Sequence, residues 1–159
     1  MSSTRSCLCS THNSYAPLFL RLALGIMIFP HGAQKLLGWF GGYGYSGTMQ
    51  FFTGSLNIPW ILALLAILIE FFGGLALIFG VLSRFAAFLV TLELMIAALK
   101  IHVGNGFFMN WSGQQKGEGI EFFILVLGIG LALILKGGGA LSVDRAICKE
   151  DKPSVPPAT

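Results

Sequence analysis

Four long apolar runs divide the chain: Pro17 to Leu37, Ile58 to Leu82, Arg84 to Val103 and Gly119 to Leu135. Each is long enough to matter, since roughly 17–25 residues of helix cross a hydrocarbon core. None alternates apolar and polar positions with period two, so strands are not predicted. Helices and closed barrels are the only backbones that satisfy their own polar groups in lipid. The run ends carry matching punctuation. Pro17 opens the first, Asn57-Ile58-Pro59 the second, and Ser83 is placed to cap the third. Gly104-Asn105-Gly106 stops the third run and Gly137-Gly138-Gly139 the fourth. The pattern predicts an all-α, integral membrane four-helix bundle of up-down topology over residues 17–136, between tails at 1–16 and 137–159. The first run is not a removable signal, because Pro30-His31 interrupts it and no cleavage site of small residues follows. The outer parts of both tails, rich in Ser, Thr and Asn or in charge and Pro, are expected to be mobile.

Composition excludes the main alternatives. Of 159 residues, 55% are hydrophobic and 11% charged, against about 25% charged in soluble domains. A soluble enzyme and a disordered chain are both ruled out. The net charge of +3 comes without a basic stripe interleaved with aromatics, so the predicted partner is the lipid bilayer and not nucleic acid. Three cysteines, Cys7, Cys9 and Cys148, make no CxxC pair and no disulfide framework. Cys7 and Cys9 with His12 fit no standard metal module, and no metal site is predicted.

Orientation follows from the basic residues. Arg5, Arg84, Lys136, Arg145, Lys149 and Lys152 fall on one side of an up-down bundle, whereas Trp39, Trp60 and Trp111 fall on the other. Cytoplasmic loops carry the excess of Lys and Arg, so both termini are expected in the cytoplasm of a multi-pass inner-membrane protein.

Ionisable groups inside the spans carry the candidate chemistry, because each is costly in hydrocarbon and normally faces a partner in the bundle interior. Arg21, Lys35 and Lys100 balance Glu70, Glu93 and Glu121, with Glu118 just outside the fourth span. His31 sits one helical turn before Lys35 on the stripe that also holds Arg21. Glu93 and Lys100 share a face; His102 points away from it. Two readings follow: a charge network that only fixes helix register, or a site for a polar headgroup, a quinone or a proton, lined by His31, Lys35, Glu70, Glu93, Lys100, Glu118 and Glu121. Small residues such as Gly25, Gly32, Gly73, Gly74, Gly80, Gly128 and Gly130 predict close helix contact. Two aromatic, glycine-rich loops, at 38–52 and 104–113, are expected either to lie as an interfacial belt or to fold over an outward-opening pocket. His31, Lys35 and Glu70 would floor that pocket and Glu121 would reach it.

The run His31-Gly32-Ala33-Gln34-Lys35-Leu36 is followed by Phe40-Gly41-Gly42-Tyr43-Gly44, Gly47-Thr48 and Phe51-Phe52. With Glu70-Phe71-Phe72-Gly73-Gly74, Gly80 and Arg84, it resembles the DoxX family of small bacterial membrane proteins. His102-Val103 with Asn105-Gly106-Phe107-Phe108, Gly117-Glu118-Gly119-Ile120-Glu121, and Leu141-Ser142 with Asp144-Arg145 continue the resemblance in order over residues 17–147. It implies a four-helix inner-membrane protein, similar to the DoxD subunit of thiosulfate:quinone oxidoreductase and linked to quinone handling or thiol and oxidative stress. No catalytic residues carry over from the family. The chain has no flavin, nicotinamide, haem or metal fingerprint, and no cysteine in its spans. A quinone-linked role is therefore expected with a bound quinone, no cofactor of the chain's own, and a redox partner protein supplying the electrons. The alternatives are a non-enzymatic scaffold or lipid-binding module, and a small proton-coupled carrier that would work as a homo-oligomer.

Overall fold

The computed structural model describes residues 11 and 13–148. Cys7, Cys9, His12, Arg5, Lys149 and Lys152, with most of the first expected tail and the end of the second, lie outside the described residues. Every regular element among the described residues is helical. Helix α1 is Tyr15–Leu37, opened by the Ser14 side chain and ended by Gly38 in the left-handed conformation at φ 74°. A short helix, α2, covers 44–55 in the first loop. Helices α3 (Trp60–Phe79) and α4 (Ser83–Asn105) follow, then α5 (Glu121–Lys136) and a last turn, α6 (Val143–Ile147).

By length and composition α1, α3 and α4 can each cross a membrane. Helix α5 is apolar but has only 16 residues, about 24 Å at 1.5 Å per residue, against a hydrocarbon core of about 30 Å. It starts later than expected because the residues before it are used by the second loop. Gly119, Ile120 and Glu121 donate their backbone N–H groups to the carbonyls of Phe108, Gly106 and Phe107 at 3.1, 3.2 and 2.9 Å. Those bonds occupy donors that a helix N-terminus leaves unpaired.

Successive long helices meet head to tail: Gly25 lies against Ile78 and Gly32 against Phe71, Gly73 against Val90, and Gly130 against Thr91 with His102 against Phe123. Leu24, Ile28, Leu77, Ala87, Val90, Val126 and Leu133 form a continuous core drawn from all of them. Helices α1 and α3 touch along glycines: a Cβ on Gly25 would meet the Gly74 carbonyl oxygen and Ile78 at 3.0 Å, and one on Gly32 would run into the backbone of Glu70 and Phe71. Apolar side chains gain little from meeting each other in lipid, so close backbone approach of this kind supplies the dispersion contact that holds membrane helices together. The face of α2 carrying Met49 packs on Ala63 and Ile67 of α3 and on Leu36. That places α2 at the tryptophan end of the bundle.

The basic end is closed by a clasp. Arg21, 2% exposed, gives its guanidinium hydrogens to carbonyls at the end of α3 and beyond α5. Nε reaches Gly138 at 2.9 Å, Nη1 reaches Leu77 at 3.0 Å and also Ile78, and Nη2 reaches Leu141 at 2.9 Å. Asp144 takes the N–H groups of Leu82 and Ser83 at 2.6 and 2.7 Å. The start of α4 is therefore capped from a distant segment, and the Ser83 hydroxyl, expected as the cap, has no partner. Leu82, just ahead of α4, sits in the left-handed region at φ 46°, which aims both N–H groups at that carboxylate. Residues 137–148, read from sequence as the start of a tail, are part of the folded body: Gly137 to Ala140, Ser142 and Asp144 are all buried. The local reason is four small or polar residues that allow the chain to turn back under α1, where Gly139 N–H meets Thr11 at 2.6 Å and Ala140 N–H meets Ser14 at 2.9 Å.

Candidate functional site

Two of the long helices change pitch where their charged residues lie. In α3 the segment Ile69–Gly73 is a π turn containing Glu70; in α4 the segment Ala98–His102 is another, containing Lys100 and His102. A π turn widens the helix by one residue and reorients the side chains around it, and such turns concentrate at functional sites. Here it brings Glu70, 4% exposed, to the face of α3 that meets α1. Glu70 lies about half-way along its helix. Gly32 lets the two backbones approach, and Lys35, one turn further along α1, points its side chain back toward the N-terminus as helical geometry dictates. Its ammonium forms an ion pair with Glu70 Oε2.

Two more groups join this pair. Glu93 of α4 is half-buried, interacts electrostatically with both Glu70 and Lys35, and lies within hydrogen-bonding reach of the Glu70 carboxyl. Its Oε2 atom is buried without a hydrogen-bond partner. His31 is exposed at the edge of α1 and feels the charges of both Lys35 and Glu70. Four of the candidate residues thus meet: His31 and Lys35 from α1, Glu70 from α3 and Glu93 from α4.

The other candidates do not join them, and the single balanced network expected from the spans is divided. Arg21 is committed to the clasp, where Asp144 is its nearby charge; its heptad relation to Lys35 set the stripe but not the depth. Lys100 is exposed. Glu118 and Glu121 fasten the second loop: Glu121 Oε1 accepts from Met109 N–H at 2.7 Å and Glu118 Oε2 from Asn110 N–H at 2.6 Å. The Glu118 carbonyl also accepts from Asn105 Nδ2 at 3.1 Å and from His102 Nδ1 at 2.9 Å, which assigns the His102 proton to that nitrogen. Glu121 is therefore occupied by the loop and does not reach the Lys35–Glu70 pair. An open groove of about 520 Å³ does lie under the first aromatic loop, but it runs along α2 and is lined by Tyr43, Gly47, Gln50, Phe51 and Ser55.

The family profile of DoxX matches residues 16–103, more than half of the chain. The chain belongs to the DoxX family. It is 32% identical over 135 residues to "Putative oxidoreductase CatD" of Bacillus subtilis, covering 85% of this chain and 89% of that protein. It is 33% identical over 116 residues to "Inner membrane protein YqjF" of Escherichia coli, covering 71% and 82%. An uncharacterized protein of Haemophilus influenzae is 29% identical over 142 residues, with 87% and 96% covered. No solved structure matches. Together with its long apolar helices, membership makes this DoxX chain a multi-pass membrane protein. The DoxX match contains α3 and nearly all of α1 and α4, and so the whole His31, Lys35, Glu70 and Glu93 cluster, but neither α5 nor Asp144.

Asp144 and Ser142 are the structurally important polar residues that the apolar pattern did not single out. Both are buried, and a polar pair beyond a glycine stop gives no hydropathy signal.

Proposed function

We propose that this DoxX protein is a quinone-linked component of a membrane redox or oxidative-stress system, and that it holds the polar end of an amphipathic ring at His31, Lys35 and Glu70. The supporting observation is the placement of an exposed imidazole against a half-buried lysine–glutamate ion pair, in a bundle whose buried Arg21 is spent on architecture. Histidine and lysine both donate hydrogen bonds to a carbonyl, and the carboxylate keeps Lys35 oriented. None of these groups carries electrons, so a partner protein performs the electron transfer. The similarity to "Putative oxidoreductase CatD" agrees with that reading, and that to "Inner membrane protein YqjF" agrees with an inner-membrane site of action. Both termini face the cytoplasm in this reading.

The test is binding of a short-chain quinone by purified protein. His31→Ala, which leaves no buried group without a partner, should weaken binding about tenfold, the equivalent of one hydrogen bond of about 1.4 kcal/mol. Lys35→Met, assayed where it remains folded, should weaken it at least as much. Equal affinity in all three proteins, or no binding in any, rejects the ring site. The scaffold reading, to which the carbonyl-bound Arg21 already lends support, would then stand in its place.

A further inference from the structure

The number of charges around Glu70 does not balance if every carboxyl is ionised. Lys35 neutralises Glu70. Glu93 adds a second carboxyl against the first, with one oxygen buried and unpartnered. The groups around it are few. From α1 they are Lys35 and, at the edge, His31; from α3 there is Glu70; along α4 the next cation is Lys100, two turns away and exposed. Helix α5 has titratable groups only at its two ends, Glu121 and Lys136, and Glu121 is bound to the second loop. Arg21 is held in the clasp by carbonyls of other segments, and Arg84, at the same end, donates to the Ile134 carbonyl at 2.7 Å. Among the described residues no second cation is placed to match Glu93. An unmatched carboxylate in this setting is strongly disfavoured, and two carboxyl groups can hydrogen-bond to each other only through a shared proton.

We infer that Glu70 and Glu93 form one carboxyl–carboxylate pair that retains a single exchangeable proton in mid-membrane, with Lys35 as its counter-ion. In the resting arrangement Glu93 carries the proton and Glu70 the charge. Transfer moves the proton from the Glu93 oxygen to Glu70 and leaves the electron pair on Glu93. The net charge of the three groups is zero before and after. The unpartnered Oε2 of Glu93 keeps its lone pairs free to accept a hydrogen bond from an incoming donor, and His31 stands beside the cluster at the exposed edge. The site requires no ring, and its test is done without one, so its failure and that of quinone binding are separate results.

The wild-type protein in detergent at neutral pH is treated with a hydrophobic carbodiimide, which adds to protonated carboxyl groups in apolar surroundings, and adducts are mapped by mass spectrometry. One adduct per chain is expected, on Glu93 or Glu70. Glu93→Gln, which keeps the shape of a protonated glutamate, should abolish it, because Glu70 is then fully ionised against Lys35; Glu121→Gln should leave it unchanged. Infrared spectra of the untreated wild type should contain a carboxylic acid carbonyl band at neutral pH that shifts in heavy water. No adduct on either residue, an undiminished adduct on Glu70 in Glu93→Gln, or absence of the band in the wild type each overturns the assignment, the last without any variant.

Discussion

Lys35 and Glu70 lie 35 positions apart in the chain yet form the ion pair on which the site is built. Removing one member leaves the other stranded in a low-dielectric interior, which costs about 3–5 kcal/mol, whereas replacing both by apolar residues removes the desolvation penalty together with the attraction. Lys35→Met alone should therefore lower the thermal stability of the protein in detergent by that amount, and Lys35→Met with Glu70→Leu should recover most of the loss. Additive losses would mean the two do not interact. Both residues were legible as candidates, because a charge inside an apolar run is conspicuous. Their pairing was not. Six groups of balanced sign permit many pairings, and the choice depends on helix depth, which hydropathy does not encode. The π turn at Ile69–Gly73, which brings Glu70 round to α1, left no mark in the residue pattern, since a π turn differs from an α turn by a single hydrogen-bond step.

At the scale of the elements, the apolar runs located all four long helices within a few residues, and the deviations have causes. The second apolar run extends to Leu82, but α3 ends at Phe79 because Gly80 adopts φ 71° and closes the helix. The third begins one residue earlier than expected, since Asp144 caps it from outside. The contact of α1 with α3 is the element-level feature most exposed to test. A Cβ on Gly32 overlaps the backbone of α3, which has no flexible end to move aside. Gly32→Ala should push the helices apart at the level of the π turn, at about 1–3 kcal/mol for an overpacked contact. It should also weaken the Lys35–Glu70 pair. Thermal unfolding checks the first effect. Gly128→Ala is the control, as nothing lies within 4 Å of a Cβ there; equal losses in the two variants would refute the close contact.

For the whole molecule, the basic clasp and the tryptophan end define a direction. Arg21, Arg84, Lys136 and Arg145 lie at one end, and Trp39, Trp60 and Trp111, all exposed, at the other. With the first end cytoplasmic, Cys148 should resist an impermeant thiol reagent in intact cells, while single cysteines placed at Tyr45 and Ser112 should react. Labelling of Cys148 with neither loop site labelled would invert the topology. The short α5 has a further consequence for the surroundings. Three sides of the bundle present hydrophobic belts matched to an ordinary bilayer, and the side formed by α5 presents a belt about 6 Å lower, from the about 24 Å and 30 Å lengths given above. Lipid next to α5 must thin, or Lys136 must snorkel outward to meet the headgroups. The perimeter is therefore uneven, and one 16-residue helix sets where the surrounding lipid is thinnest.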